Sequence, residues 1–292
     1  MNLEYKKQTD KEHKETLESK IIHASWFGKL ACVGSKLAFE VWTHFVGSGS
    51  DIEIEIKDKG GKLIEKMNGK VYGDKFGGSI IVPENAKEEL TFTAKLAKHG
   101  LEKKSAPVRL IRVRNLKWGQ KEARRGDFVK LSAEVEGMPE DSELLLSIYE
   151  YDQDGAHDFI TKFPCRVKNK KIEAEWAYEY HEDTDEIPTQ EEMQKYGKSY
   201  NPPEYFFVTD FHGGRFGDKQ ESKLLEFKDW IELKLQISNG DPVSNARFIV
   251  KLADGTERQG NLDQNGTYRL EDIPPGWYWV VFPDHQLKKY IR

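Results

Sequence analysis

The chain is short of the features that usually announce a function. It has only two cysteines, Cys32 and Cys165, far apart and without CxxC or Cys/His spacing. That excludes a zinc ribbon and a disulfide scaffold, and leaves two small core residues in a reducing compartment as the simplest expectation. No apolar run approaches the ~20 residues that span a bilayer, so no membrane insertion is expected. The opening stretch, "MNLEYKKQTDKEHKETLESK", is charged throughout and lacks the apolar core of a secretory signal. The expectation is a protein cytoplasmic as synthesised, exported only as part of a dedicated apparatus.

Catalytic signatures are missing as well. There is no GxSxG elbow, phosphate loop, dinucleotide fingerprint or HExxH. "DQDGAHD" sets Asp152, Asp154 and Asp158 where a calcium loop has its early ligands, but Ala156 and Phe163 stand at its fifth and twelfth places. Without the closing glutamate, a hairpin turn is the expectation. "HEDTDE" spaces His181, Asp183 and Asp185 along one strand face. That spacing suits a metal triplet, and it equally suits an acidic surface, which is the reading adopted. The chain is therefore expected to be no enzyme and to need no cofactor or metal.

What the sequence does have is charge, at 33%, and aromatic residues, at 12%, enough for modest cores in two or three domains. The charge is segregated. Residues 103–125, "KKSAPVRLIRVRNLKWGQKEARR", are basic, and residues 172–194, "IEAEWAYEYHEDTDEIPTQEEMQ", are acidic. The basic residues alternate with Val108, Leu110, Val113 and Leu116, as on a strand with one buried face, and no nucleic-acid recognition motif lies nearby. A solvated strand is the reading, with no nucleic-acid partner. The sharper alternative is mutual attraction of the two runs, between domains or by self-association.

An internal repeat organises the chain. Residues 34–56, "GSKLAFEVWTHFVGSGSDIEIEI", match residues 126–148, "GDFVKLSAEVEGMPEDSELLLSI", in pattern rather than identity. At a spacing of 92, Ile52, Ile54 and Ile56 align with Leu144, Leu146 and Ile148. Period-two alternation bounded by turn residues predicts antiparallel strands, and two copies of one sandwich-sized unit. The first is placed at 21–110, after a charged tail at 1–20, with turns at Gly60-Gly61, Asn68-Gly69 and Gly77-Gly78. The second is placed at 111–236. Its insertion "DEIPTQEEMQKYGKSYNPPEYFF" has a capping box, Thr189 to Glu192, and a stop at Gly197, predicting a helix over 190–196.

Residues 237–292 form a third, smaller unit. Asp254-Gly255, Asn265-Gly266 and Pro274-Pro275-Gly276 punctuate short alternating strands. Period two sets Tyr278, Val280 and Phe282 on one face and Trp277, Trp279 and Val281 on the other, and the latter three are the candidate partner-binding residues. The neighbouring sandwich and the tail "HQLKKYIR" are the alternative cover for that face.

The pattern "G-x-L-D-x-N-G-x-Y-x-L-x-D-I-P-P-G-x-Y-x-V-x-F-P" resembles the transthyretin-like, carboxypeptidase-regulatory-like family. That resemblance implies a small β-sandwich without catalysis of its own. With the two Ig-like units, "IYEYDQDGAHD" and "YNPPEYFF", the chain resembles accessory regions of contractile injection systems, the type VI and phage-tail-like spike proteins, best over 111–285. The resemblance implies effector loading or decoration of the spike tip, although the spike's β-helical repeats are absent. The expected fold is all-β: tandem Ig-like antiparallel β-sandwiches, a small transthyretin-like β-sandwich, and one short helix in an insertion. The expected function is a non-enzymatic structural or adaptor protein binding a spike or effector protein. A glycan- or cell-surface-binding sandwich is the alternative, and an enzyme with an unfamiliar acidic site stands behind it.

Overall fold

The computed structural model describes residues 15–178, 189–285 and 287–291. The chain divides into two compact units, Met1–Ile111 and Arg112–Arg292.

Alternating apolar residues in the first unit give β1 (Lys20–Trp26), β2 (Leu30–Cys32), β3 (Lys36–His44), β4 (Asp51–Asp58), β5 (Leu63–Lys70), β6 (Lys75–Ile81), β7 (Glu89–Leu96), β8 (Leu101–Lys104) and the start of β9 (Val108–Trp118). One antiparallel sheet has the order β1-β3-β6. The other runs β2-β9-β7-β4-β5, with β2 parallel to β9 and β8 paired to β7. Trp26 and Phe39 of the first sheet meet Phe92 of the second, at centroid distances of 4.9 and 4.8 Å. Ile52, Ile54 and Ile56 point inward from β4 and are buried, each contributing ~1.5–3 kcal/mol by burial.

The second unit repeats that plan. Residues 112–118 of β9 pair with β11 (Phe128–Glu136), which pairs with β14 (Lys171–Ala177). The facing sheet joins β10 (Glu122–Arg124), β17 (Leu225–Lys234), β15 (Glu204–Phe211), β12 (Glu143–Glu150) and β13 (Phe159–Arg166) in that order. Here β10 is parallel to β17, and β16 (Gly214–Phe216) pairs with β15. Strand for strand this is the order of the first unit, and the split first strand and three-on-five layering are immunoglobulin-like. Leu144, Leu146 and Ile148 point inward from β12, as Ile52, Ile54 and Ile56 do from β4. Details repeat too. Ser105 Oγ accepts from the Phe92 N–H and donates to the Ala106 carbonyl; Ser222 Oγ does the same with Phe207 and Lys223.

Helix α1 (Gln190–Tyr196) has Thr189 and Glu192 as its capping box and a left-handed Gly197 at its end, as its sequence predicts. Two expected turns are corrected. Asn68-Gly69 lies inside β5 and Gly77-Gly78 inside β6. A Cβ at Gly69 would fall 2.1 Å from the Phe76 ring, and one at Gly78 would fall 2.6 Å from Phe39. These glycines make room for core rings rather than bending the chain. The bend between β5 and β6 is at Gly73-Asp74, both with positive φ.

The third module takes the later residues of β17 as its first strand. They pair with β20 (Thr267–Ile273), and β18 (Arg247–Lys251), β19 (Glu257–Asn261), β21 (Tyr278–Phe282) and β22 (Leu287–Ile291) make a sheet of order β19-β18-β21-β22. Ile231 and Leu233 from β17 pack with Phe248, Val250, Leu270 and Val280 in one core.

Candidate functional site

The site begins with the turn before β21. A Cβ at Gly276, which has φ +121°, would fall 2.9 Å from the Ala253 Cβ, so glycine is required there. Tyr278 Oη donates to the Pro274 carbonyl at 3.2 Å, and Tyr200 Oη, at the end of the insertion, donates to the Pro275 carbonyl at 3.0 Å. The turn is thus held from the module's own core and from the second sandwich.

Beyond it the strand alternates. Tyr278, Val280 and Phe282 are buried in the module's core. Trp279 on the opposite face is 43% exposed, Val281 is half-buried, and Trp277, just before the strand, is half-buried. Register places Lys251 beside Trp279 and Ile249 beside Val281 from β18, with Gln259 next to Ile249 from β19. Arg247 reaches Gln259 at 3.2 Å. The structure adds Ile249 and Lys251: the alternation of "RFIVK" is visible in the sequence, but its place beside "WYWVV" follows from register. The tail lies in the plane of the sheet as β22, paired along β21.

The remaining candidates fall elsewhere. Asp152, Asp154 and Asp158 line a cleft of about 280 Å³ with Glu192, Tyr196 and Lys198, between the 151–158 turn and the insertion. Asp154 Oδ1 accepts from the Ala156 N–H at 2.8 Å, and His157 Nδ1 from the Asp152 N–H at 3.0 Å, so this loop is built as a turn. His181, Asp183 and Asp185 lie outside the described residues. Within the basic run, Arg112 and Arg114 meet Glu136, Arg124 meets Asp272, and Arg125 meets Asp229 at 3.1 Å. The last two tie the second sandwich to the third module. The central part of the acidic run, 179–188, lies outside the described residues. Cys32 and Cys165 are both buried, and burial pushes the Cys165 thiol up to about 12, leaving it protonated and inert at neutral pH. Among the described residues no helix is long and apolar enough to cross a membrane.

No protein-family model matches the sequence, and no curated protein matches it. Among solved structures, the I67–I69 fragment of the titin I-band aligns over 91% of this chain and 93% of its own at 12% identity, with a TM-score of 0.36. The ICAM-5 D1–D4 ectodomain aligns over 94% of this chain and 74% of its own at 10% identity, with a TM-score of 0.30. Trypsin-activated α-2-macroglobulin from Escherichia coli aligns at 11% identity and a TM-score of 0.27; this chain covers 94% of itself and spans only 23% of that protein's length. The fold class rests on the chain's own strands and their order. By that order the chain is an all-β protein of tandem immunoglobulin-like sandwiches followed by a smaller third module.

Proposed function

We propose that the chain is a non-enzymatic structural or adaptor protein, and that the outer face of the β19-β18-β21-β22 sheet docks a protein partner. The observation that carries this reading is Trp279, 43% exposed beside Val281 and Ile249 and edged by Lys251 and Gln259. A sheet face turned to water ordinarily alternates to polar residues. An aromatic anchor among aliphatics with a polar rim is the composition of a binding hot spot. Tandem sandwiches suit a structural or binding role, but fold alone assigns no function. The finer setting, an accessory of a contractile injection system that loads effectors or decorates a spike, is supported by the sequence resemblance over 111–285. The transthyretin-like pattern of the third module bears on its fold and not on the setting.

The test uses the full chain as bait for spike and effector proteins of contractile injection systems. In the double variant Trp277→Ala/Trp279→Ala, affinity should fall roughly 30-fold or more with the melting temperature unchanged. Lower melting with undiminished capture would instead make these tryptophans packing residues. Failure of every spike and effector protein to bind the wild-type chain would remove the injection-system setting.

A further inference from the structure

We propose that β6 is a self-association edge, along which two copies of this chain pair antiparallel. The inference is independent of the third module's face. It starts from what guards four other sheet edges. A strand edge presents unpaired N–H and C=O groups, and natural proteins blunt such edges with charges, proline or bulges. The β1 edge has a register shift at Ile22, whose carbonyl accepts from Lys103 Nζ at 2.7 Å. Pro164 leaves β13 without one N–H, and β20 has a bulge at Asp272, where φ is +54°. The counterpart of β6 in the second sandwich is β14, which sets exposed Lys171, Glu173 and Glu175 along its outer face. In β6 the same three places hold Lys75, Gly77 and Ser79. The strand pairs with β3 over seven residues without a register shift, and among the described residues β3 is its only partner strand.

The backbone identifies the groups on offer. Lys75 exchanges both backbone bonds with Tyr72, at 3.1 and 3.0 Å, on the side away from β3, and the Val82 N–H bonds to the Ser35 carbonyl toward β3. The alternation of an antiparallel ladder then directs the N–H and C=O of Gly77, Ser79 and Ile81 to the open edge. A second copy centred on Ser79 against Ser79 uses all of them, in about six hydrogen bonds. That register sets Ile81, 62% exposed, over Gly77 of the other copy. It also explains Gly77. Unlike Gly78, this glycine has no steric duty among the described residues: of these an added Cβ would meet only the Phe39 carbonyl, at an ordinary 3.6 Å, and its φ is not positive. In this register Gly77 sets no side chain against the neighbouring isoleucine of a second copy, whereas glutamate stands at the matching position of β14.

The test is a charge swap at the two-fold centre. Sedimentation equilibrium of the full chain should show a reversible dimer. Near the wild-type dissociation constant Ser79→Glu and Ser79→Lys should each be mainly monomeric, with dissociation constants raised roughly 5-fold by like charges meeting directly. An equimolar mixture of the two variants should form a heterodimer. Gly77→Glu, which copies β14, should also be monomeric, and melting curves matching the wild type would show all variants folded. A wild-type chain monomeric up to ~0.1 mM, variants that dimerise as before, or a mixture that stays monomeric would each overturn the proposal. Should the glutamate variants melt early, the mixture of charge variants still decides, since only direct opposition at position 79 restores pairing.

Discussion

The two sandwiches share strand order, inward residues and buried serine bonds, yet differ nearly everywhere else. The link from β4 to β5 is 59–62 in the first, and the link from β12 to β13 is 151–158 in the second. Between β6 and β7 the first has residues 82–88; between β14 and β15 the second has 178–203, with its capped helix. The second copy thus carries both lengthened loops, which together line the acidic cleft, and it carries charges along β14 where the first carries glycine and serine along β6. Inward positions kept the fold in both copies while loops and outward faces were free to specialise. The first copy is left with an open edge and the second with a built-up end.

The hardest test of this equivalence is to break the core at matching points. Ile54 and Leu146 are both fully buried at the same step of β4 and β12. An aspartate at either place would bury an unpaired charge at a cost of several kcal/mol, on the order of a domain's whole stability. Ile54→Asp should abolish amide-exchange protection in β4 and β7, and Leu146→Asp in β12 and β15. Protection surviving in either sandwich would mean that the two cores do not depend on these positions alike.

The sequence carried most of this architecture because sandwich strands write their burial in a period of two. Ile52, Ile54 and Ile56 align with Leu144, Leu146 and Ile148 by pattern alone, and Thr189, Glu192 and Gly197 bound the helix to the residue. Glycine was the ambiguous letter. Gly60-Gly61 marks a turn, whereas Gly69 and Gly78 are strand residues whose missing Cβ admits Phe76 from the facing sheet and Phe39 from the neighbouring strand. In the third module the alternation of Tyr278, Val280 and Phe282 was legible. Ile249 and Lys251 were not, because neighbours across a sheet follow from register, which short-range pattern does not set.

A smaller and more discriminating effect concerns the paired tryptophans. Trp26 sits edge-on to Phe92, and Trp118 sits edge-on to Phe207 at 5.0 Å. They differ at the indole nitrogen: Trp118 Nε1 donates to the Lys223 carbonyl at 3.2 Å, while among the described residues Trp26 Nε1 has no acceptor. Changing either to phenylalanine removes similar volume, so the packing loss should largely cancel. Trp118→Phe loses a hydrogen bond as well, and Trp26→Phe relieves a buried, unpaired donor. Denaturant unfolding should therefore show Trp118→Phe as the more destabilising by ~1–2 kcal/mol. Equal costs would mean that the two indoles sit in equivalent polar surroundings.

The smallest expected effect comes from a pair whose sign changed between the copies. In the first sandwich Glu89 faces Arg109 across β7 and β9; at the same step of the second, Glu204 faces Glu226 across β15 and β17. Burial, and then the Glu226 carboxylate, hold the Glu204 carboxyl above its ordinary value. Lys228, bonded to Glu226, lowers it again only in part. A carboxyl whose folded value lies above its unfolded one binds protons more tightly when folded, so it costs stability above that raised value and none below the ordinary one. Glu204→Gln should therefore raise the melting temperature at pH 7, by the equivalent of no more than ~1 kcal/mol for a directly opposed like-charge pair. The gain should fade as pH drops through the raised value and be gone below the ordinary glutamate value near 4.5. Glu89→Gln in the first sandwich should do the reverse at pH 7, because it removes an attractive pair. Melting curves of the two variants at pH 7 and pH 4 decide the matter. If Glu204→Gln destabilises at pH 7, Lys228 neutralises the cluster and the contrast between the copies at this step disappears.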